Sequence, residues 1–345
     1  MTRLLRAVLA TLLVAALTCG GTSVAQARPA AAPAEATTPH LAQPWGVYTS
    51  KYDEAYGAYL RASGTDKTLL AKIALTPRAR WFGGWVGTRA ITAKVRSYVA
   101  NSQNGNPDDL VQLAVFREWG RFGEKGKGHS FGPAQQRAYR AWIDALAAGI
   151  GNARTAIVLE PDLPLALKGW SPSVRLGLVA YAAQTLSALP RTSVYLDAGD
   201  ADWLTASQAA SLLQRAGVQY ARGFALGATH YSPAADDVAH AHDVVAALTR
   251  LGLPGKKAVI DTADNGQGFT WSQYWTMHPH GDFDNADVCR SLTQTRCDTL
   301  GIRPTPNTGD ADVDGYLWFG RPWLYRQASP FKMGRALAVA ATTPY

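Results

Sequence analysis

Short apolar runs alternate with longer amphipathic segments along most of this 345-residue chain. The short runs are rich in β-branched and aromatic residues, which predicts strands. Strands are predicted at residues 78–82, 110–116, 156–160, 193–197, 219–224, 258–261 and 315–319. In the longer segments apolar residues recur every three or four positions, often after a Ser, Thr or Pro, which predicts helices. Helices are predicted at residues 88–101, 133–148, 172–189, 205–216, 234–251 and 330–341.

The alternation of strands and helices predicts an α/β fold. Parallel strands joined by crossover helices give this pattern, and β/α barrels of the TIM type reach this length around a single core. We therefore expect residues 44–345 to form one barrel domain. Seven predicted strands indicate a barrel that is not quite regular.

Residues 1–27 have the three parts of a secretory signal peptide. Two arginines precede an apolar stretch at residues 7–17, and small residues follow up to Ala27. A membrane anchor is the alternative, but this stretch is shorter than the roughly 20 residues that span a bilayer. Residues 28–43 are rich in Ala, Pro and Thr and are expected to be a disordered leader. We expect a secreted, extracellular protein with no membrane partner.

The charge indicates which partners are expected, and the cysteine content bears on the disulfide bonds. The formal net charge is +8, but the basic residues are scattered and form no stripe, so no nucleic-acid partner is expected. Cys19 lies in the signal peptide, which leaves Cys289 and Cys297 in an oxidising compartment. A disulfide between them is predicted. Metal ligation by the two thiols is the weaker alternative, because no further ligand pattern completes a site.

The segment 262–312 shows little periodicity and is rich in Gly, Asn, Asp, Pro and Trp. It is not easily assigned to a helix or a strand. Long loops in compact domains are more often functional than idle. Because both remaining cysteines lie in it, we expect a disulfide to restrain this segment over the cleft.

Acidic residues follow several of the predicted strands. The strand ends carry Trp81, Arg117, Glu118, Glu160, Asp162, Asp197, Asp200, His230, Asp261 and Arg321. Side chains at the carboxyl ends of barrel strands face the cleft. Acids and tryptophans there indicate cleavage of a sugar, since a glycosidic bond needs a proton donor and sugar rings stack on flat apolar faces. Carbohydrate is the predicted substrate class.

Asp162 is the predicted general acid. An N-cap is the alternative role, because Asp is a favoured cap, but Pro161 and Pro164 indicate a rigid turn rather than a helix start. Glu160 is expected to be a buried partner that holds this loop.

Two tryptophans are candidates for sugar binding, whereas three histidines have no predicted function. Trp81 and Trp203 lie at strand ends and are the better candidates for sugar platforms, although a single tryptophan is more often part of a core. His230, His240 and His242 show no ligand spacing that stands out, and no function is assigned to them.

Four segments, in this order, resemble glycoside hydrolase family 6, the inverting cellobiohydrolases and endoglucanases that act on β-1,4-glucan. They are IVLEPD at 157–162, YLDAGDADWL at 195–204, VIDTADNGQG at 259–268 and GIRPTPNTGDADVDGYLW at 301–318. The resemblance implies a distorted seven-stranded parallel β/α (TIM-like) barrel with its cleft at the carboxyl ends of the strands. It also implies that Asp162 is the proton donor and that Trp81 and Trp203 bind sugar.

Two positions near the donor depart from the family. After the second strand the family has Arg-Asp-Cys-Gly, whose Asp raises the pKa of the donor, where this chain has Glu118. Glu118 is expected to serve, because a like charge close to Asp162 disfavours its ionisation. The His of the family's Asp-Ala-Gly-His is Asp200 here. We therefore expect altered sugar contacts, with Asp200 and Arg321 assigned to substrate binding beside the two tryptophans.

The segment after the last strand departs most from the family. The family has Trp-Val-Lys, Pro-Gly and then Glu-Ser/Cys-Asp-Gly, whose Asp is the proposed base, whereas this chain reads WFGRPWLYRQ at 318–327. Arg326 falls at or next to the base position, and an arginine cannot accept a proton at working pH. Either another acid such as Asp197, Asp200 or Asp314 relays the proton through water, or activity is low, or the protein binds glycans without cutting them.

The sequence thus predicts a secreted glycoside hydrolase that cleaves β-1,4-linked glucan with inversion. Asp162 is the expected general acid, and Glu118 is the neighbour that sets its pKa. The alternative is a noncatalytic glycan-binding protein that keeps the barrel but has lost the base. No cofactor and no metal are expected. The expected partner is a polysaccharide, and the expected state is a monomer.

Overall fold

The computed structural model describes residues 40–117, 132–168 and 171–345. These residues belong to one compact unit. The predicted signal peptide at 1–27, residues 28–39 of the predicted leader at 28–43, and Glu118 lie outside the described residues.

Seven parallel strands form one curved sheet at the centre of the fold. The strands are β1 (Arg80–Gly83), β2 (Val111–Phe116), β3 (Thr155–Leu159), β4 (Thr192–Asp197), β5 (Gly223–Leu226), β6 (Lys257–Asp261) and β7 (Val313–Leu317). Each strand pairs in parallel with the next one along the chain. Among the described residues no ladder joins β7 to β1, but the N–H of Ala79 donates to the carbonyl of Trp318 at 2.7 Å. The predicted α/β class, a distorted seven-stranded barrel, is confirmed.

Helices accompany the strands along the chain. They are α1 (Glu54–Arg61), α2 (Gly64–Ala74), α3 (Thr88–Gln103), α4 (Pro133–Ile150), α5 (Pro172–Ser187), α6 (Ala206–Arg215), α7 (Ala234–Arg250), α8 (Trp271–Met277) and α9 (Met333–Ala341). The predicted helices between residues 88 and 251 are confirmed, with small shifts at their ends. The sequence pattern does not predict α1 and α2. Within the described part of the chain, no helix combines the length and the apolar character needed to cross a membrane.

Alternate residues of the strands face two separate apolar layers. Leu113 and Ile157 pack outward with residues of the covering helices, whereas Ala114 and Val158 belong to the interior cluster of the barrel. This division follows from the strand geometry, because successive side chains point to opposite faces. The barrel interior is therefore filled by side chains, and space for a ligand remains at the strand ends.

The fifth strand lies further along the chain than the predicted range 219–224. Its residues run from Gly223 to Leu226, because the preceding residues form turns after α6, in which Tyr220 donates to Gly217 and Ala221 donates to Val218. Gly223 itself is packed so closely that an added Cβ would lie 1.7 Å from the carbonyl oxygen of Lys257.

A hairpin precedes the last helix. Strands β8 (Leu324–Tyr325) and β9 (Ala328–Phe331) pair antiparallel. The predicted helix at 330–341 was therefore too long, because Pro330 lies in β9 and α9 begins only at Met333. The turn of the hairpin consists of Arg326 and Gln327, which have φ values of 48° and 54°.

The segment 262–312 is more structured than its composition indicates. It contains α8, whose first turn is closed by a capping box between Thr270 and Gln273. The predicted disulfide is present between Cys289 and Cys297, with an S–S distance of 2.02 Å. The bridge joins two residues that are 8 positions apart and so closes a short loop, and neither cysteine lines the cavity at the carboxyl ends of the strands.

Candidate active site

A cavity of 1150 Å³ opens at the carboxyl ends of the strands. Four of the predicted site residues, Asp162, Trp81, Trp203 and Arg321, line it. Asp200 is fully buried behind the cavity wall. The structure thus brings together the predicted residues from the ends of β1, β3, β4 and β7.

Asp162 reaches the cavity from a turn that contains two left-handed residues. Glu160 and Asp162 have φ values of 54° and 67°, a conformation that costs a residue with a Cβ about 1–2 kcal/mol. The turn is held by two backbone hydrogen bonds: Glu160 donates to Val115 at 2.7 Å, and Leu165 donates to the carbonyl of Asp162 at 2.9 Å. Such local strain is common where a side chain must be held for function.

Glu160 lies below this turn and is buried. The hydroxyl of Tyr139, in α4, donates to its Oε1 at 2.8 Å. The carboxylate therefore connects the turn after β3 to the helix that covers it. This position agrees with the structural role expected for Glu160.

Asp197 is the acid that the described structure brings close to Asp162. It ends β4 and is fully buried, and the N–H of Gly199 donates to its Oδ2 at 3.1 Å. Burial, with the charge of Asp162 as a second cause, raises the pKa of Asp197 well above its ordinary value. Because two close carboxyl groups resist joint ionisation, this pair retains a proton at pH values where an isolated aspartate has none.

His230 faces the same cavity and is a residue that the sequence analysis left without a function. Its Nδ1 lies 3.1 Å from Oδ2 of Asp200, and both side chains are buried. Burial alone would lower the pKa of His230, but the hydrogen bond and charge of Asp200 outweigh it and raise the pKa to about 9. The same contact lowers the pKa of Asp200 despite its burial. The pair is therefore an imidazolium and a carboxylate at neutral pH.

Trp81 lines the cavity but is only 8% exposed. Its Nε1–H donates to the carbonyl of Phe319 at 2.7 Å, and Phe116 packs edge-on against its ring at 5.2 Å. The guanidinium of Arg321 lies 4.2 Å from the ring centroid. Burial lowers the pKa of Arg321 to about 9. Arg321 thus covers part of the ring surface that the sequence analysis assigned to a sugar.

Trp203 is held at the cavity by the turn after β4. Its N–H donates to the carbonyl of Asp200 at 3.0 Å, and its ring meets the ring of His230 edge-on at 4.6 Å. Gly199 has φ of 88°, and an added Cβ there would lie 2.5 Å from Cε3 of Trp203. A glycine is therefore required beneath this tryptophan, both for the backbone conformation and for space.

Three further aromatic residues line the cavity and are unusually exposed. Tyr52, Trp85 and Trp271 are 76%, 57% and 45% exposed. These three residues were not predicted, because an aromatic residue is more often part of a core and their exposure cannot be read from the sequence, even for Trp85, two residues after β1. Their exposure gives the cavity rim flat apolar faces.

The hairpin β8–β9 supplies the wall where the family base is expected. Arg326 and Gln327 line the cavity. Nε of Arg326 donates to Asp282 at 2.8 Å, and Nε2 of Gln327 donates to Asp264 at 2.9 Å. This turn therefore presents a guanidinium and an amide to the cavity.

Asp314 does not lie at the cleft, so its suggested role as a proton relay is wrong. It is near the start of β7, at the amino end of the barrel, where Arg222 binds it through two hydrogen bonds of 2.7 and 2.9 Å. Tyr195 donates to the same carboxylate at 2.7 Å. The strand predicted at 315–319 already places Asp314 before the strand, so this position disagrees with a role at the carboxyl end.

Asp261 lies at the end of β6 but is turned into the protein. It accepts backbone N–H groups from Thr229, Ala263, Phe319 and Gly320. Burial nevertheless raises its pKa to about 7. Its contacts connect β6 to the neighbouring strand ends. Among the described residues, no group of acids, cysteines and histidines has the arrangement of a metal site.

The chain is similar to known proteins over most of its length. The family model described as Glycosyl hydrolases family 6 matches residues 42–322. Endoglucanase A of Cellulomonas fimi is 35% identical over 280 residues, which cover 80% of this chain and 55% of that protein. Endoglucanase A of Thermobispora bispora is 31% identical over 258 residues, which cover 73% of this chain and 51% of that protein. The chain thus spans about half the length of these relatives.

A solved structure supports the same relationship. The endoglucanase Cel6 of Mycobacterium tuberculosis, solved in complex with methyl-cellobiosyl-4-deoxy-4-thio-β-D-cellobioside, superposes with a TM-score of 0.71 at 27% identity. The match covers 88% of this chain and 99% of that chain. The shared barrel therefore extends over nearly all of the described residues.

Proposed function

The chain belongs to glycosyl hydrolase family 6, and from this membership we propose that it hydrolyses β-1,4-linked glucan with Asp162 as the general acid. The observation that carries the proposal is the position of Asp162: its carboxyl lines the cavity, and the buried Asp197 lies close enough for the two charges to interact.

The pairing of Asp162 with Asp197 supports a proton held by this pair of carboxyl groups. A general acid must be protonated at working pH, and a neighbouring carboxyl group favours the protonated form. From the sequence, Glu118 is the residue expected to raise the pKa of Asp162. Within the described residues Asp197 is the neighbouring acid, and burial together with the charge of Asp162 raises its pKa. We propose that the proton retained by this pair is the one that Asp162 delivers.

Cleavage with inversion requires two proton movements. Asp162 gives its proton to the glycosidic oxygen as the bond from that oxygen to the anomeric carbon breaks, and a water bonds to that carbon from the opposite face. The water loses its proton to an acceptor. At the position of the family base the hairpin turn presents Arg326 and Gln327, and neither side chain can accept this proton. We therefore propose that further water carries the proton to an acid elsewhere at the cavity, such as Asp202.

Aromatic faces are proposed to bind the glucan chain. Trp203 lies beside Asp162 in the cavity, and Trp85 and Trp271 extend the apolar surface to the rim. Sugar rings stack on such faces. The ring of Trp81, partly covered by Arg321, offers a mixed contact in which the guanidinium can donate to sugar hydroxyls.

The proposal is tested by counting new reducing ends. The purified chain is incubated with mixed-linkage β-glucan and with a soluble cellulose derivative, beside Asp162→Asn. We expect release of reducing ends by the wild type and a loss of at least about 100-fold in Asp162→Asn, the contribution typical of general acid catalysis. NMR of the anomer formed first reports whether the reaction inverts.

A noncatalytic glycan-binding protein is the second candidate. The specific observation in its favour is the hairpin turn, in which Arg326 and Gln327 occupy the segment where the family base is expected. Background release of reducing ends by both proteins, together with binding of cello-oligosaccharides measured by calorimetry, would reject the hydrolase and support the binder.

A further inference from the structure

His230 lies between the buried acids and the cavity. It follows β5, lines the cavity beside Trp203, and is itself largely buried. Its ring meets the ring of Trp203 at 4.6 Å and that of Phe283 at 5.4 Å, edge-on in both cases. These contacts fix the plane of the imidazole, so it is held as firmly as a core residue while it faces the ligand space.

The two ring nitrogens of His230 have different surroundings. Nδ1 is engaged by Oδ2 of Asp200 at 3.1 Å. Nε2 makes no hydrogen bond to any residue of the described ranges, which leaves it as the nitrogen available to a ligand. A protonated imidazole has an N–H at both nitrogens. The ring therefore offers one charged donor to the cavity.

The acids around His230 come from several elements. Asp200 and Asp202 follow β4, Asp197 ends β4, Asp162 follows β3, and Asp237 lies in α7 behind Asp200. Asp237 is buried, and its Oδ1 accepts the N–H of Ala201 at 3.0 Å. Asp200 and, to a smaller extent, Asp162 and Asp197 raise the pKa of His230, whereas Asp237 is hydrogen-bonded to Asp200 and helps to hold it beside the imidazole.

We propose that His230 is a substrate-binding residue, an imidazolium whose Nε2–H donates to an oxygen of the sugar ring that lies against Trp203, and that Asp200 is its positioning residue. This inference rests on the proposed function, because it assigns a donor to the glucan that the cavity is proposed to bind. A sugar ring stacked on a tryptophan presents its hydroxyl groups at the ring edge, where an edge-on imidazole can reach them.

Steady-state kinetics of His230→Gln on soluble β-glucan test the assignment. We expect KM to rise about tenfold, equivalent to about 1.4 kcal/mol, with a much smaller change in kcat. His242→Gln is the matched control, since it removes another His–Asp contact, that to Asp310 at 2.7 Å, away from the cavity. Its KM is expected to equal that of the wild type.

The pH dependence separates a binding role from a structural one. The KM of the wild type is expected to rise as the pH rises through about 9, where both His230 and Arg321 lose a proton. The readout specific to His230 is therefore the displacement of this rise in a variant that alters its partner Asp200. Asp200→Asn removes the charge that retains this proton and is expected to move the rise in KM toward neutral pH. If His230 and Asp200 had only a structural role, the pH dependence of KM in Asp200→Asn would be the same as in the wild type.

Binding without cleavage gives an independent measurement. In Asp162→Asn labelled with ¹³C at its histidines, the Cε1–H signal of His230 is assigned by comparison with the double variant that also carries His230→Gln. We expect this signal to shift on addition of cellotetraose, while that of His242 does not.

The outcomes distinguish the two proposals. No shift at His230, or an unchanged KM in His230→Gln, would overturn the assignment even if the wild type cleaves glucan. A shift at His230 in a protein whose wild type releases no reducing ends would support the assignment and reject the hydrolase.

Discussion

At the scale of single residues, the carboxyl of Asp162 shares its surroundings with Asp197, Asp200, Asp237 and the imidazole of His230. Burial raises the pKa of Asp197 and Asp237 well above the ordinary value, and the contact with His230 lowers that of Asp200. One carboxylate therefore balances the imidazolium, and the other buried acids retain protons. Of Asp162 and Asp197, which together retain a proton, Asp162 is the acid that borders the cavity.

The exposed tryptophans at the cavity rim lead to a prediction about chain length. Trp85→Ala and Trp271→Ala remove faces that only a longer glucan reaches, so we expect KM for polymeric β-glucan to rise about fivefold, or about 1 kcal/mol, with little change for cellotetraose. Tyr220→Ala is the control, because Tyr220 is 45% exposed but lies away from the cavity. Equal KM values for Trp85→Ala, Trp271→Ala and Tyr220→Ala would contradict a stacking role.

Much of the cavity wall could be predicted from single residues. Asp162, Trp203 and Arg321 line it because side chains at the ends of parallel strands meet at one edge of a sheet. His230 could be placed at a strand end, but its contact with Asp200 could not be predicted, since Asp200 lies 30 residues away and the contact depends on how two turns fold. Asp314 was misassigned, because it precedes the strand predicted at 315–319 and lies at the amino end of β7.

At the scale of secondary structure, the close packing of β5 against β6 restricts the residue type at position 223. An added Cβ there would lie 1.7 Å from the carbonyl oxygen of Lys257 in β6. β5 lies between β4 and β6, next to the turns that carry Trp203 and His230. A displacement of this strand would therefore move residues on the cavity wall.

Gly223→Ala is expected to lower the free energy of unfolding by at least about 1–3 kcal/mol, the usual cost of overpacking. Denaturation in urea, followed by circular dichroism, measures this loss. Gly177→Ala in α5 is the matched control, because no atom lies within 4 Å of an added Cβ there. It should raise the free energy of unfolding by about 0.5–1 kcal/mol, since alanine is the better helix former. Equal effects of the two substitutions would show that Gly223 is not constrained by Lys257.

Helices with clear ends were predictable, and helices that pack through small residues were not. α6 begins at Thr205, which forms a capping box with Gln208, and it buries a regular apolar stripe. α1 buries Ala55, Gly57 and Ala58 instead, so it lacks the bulky apolar periodicity on which the prediction depends. The hairpin β8–β9 was missed because its strands are too short to show an alternating pattern.

At the scale of the whole molecule, the fold buries an unusual number of acids near the strand ends. Burial raises the pKa of Asp261 and Asp298 to about 7, and that of Asp264 well above the ordinary value. Asp298 is paired with Arg335, whereas Oδ1 of Asp264 has no hydrogen-bond partner within the described ranges. The folded state therefore holds protons that the unfolded chain releases.

These protons set the sign of the dependence of stability on pH. Asp261 and Asp298 titrate near 7 when folded and near 3.8 when unfolded, so the native state binds more protons in that window and the free energy of unfolding falls as the pH rises. His230 acts in the same direction between 6.5 and about 9. Asp200 acts in the opposite direction, but its lowered pKa restricts that effect to pH below about 3.8.

We therefore expect the Tm, measured by circular dichroism in buffers of equal ionic strength, to be highest near pH 4 and to fall steadily toward pH 9. Asp264→Asn replaces one buried acid by a neutral residue of the same shape, so its Tm should fall less steeply over this range. Asp243→Asn, on the exposed side of α7, is the control and should follow the wild type. A Tm that rises from pH 5 to pH 9 would mean that ionised rather than protonated acids stabilise this barrel. The proton proposed for the pair of Asp162 and Asp197 would then lose its structural basis, because it depends on the same effect of burial that raises the pKa of Asp261 and Asp298.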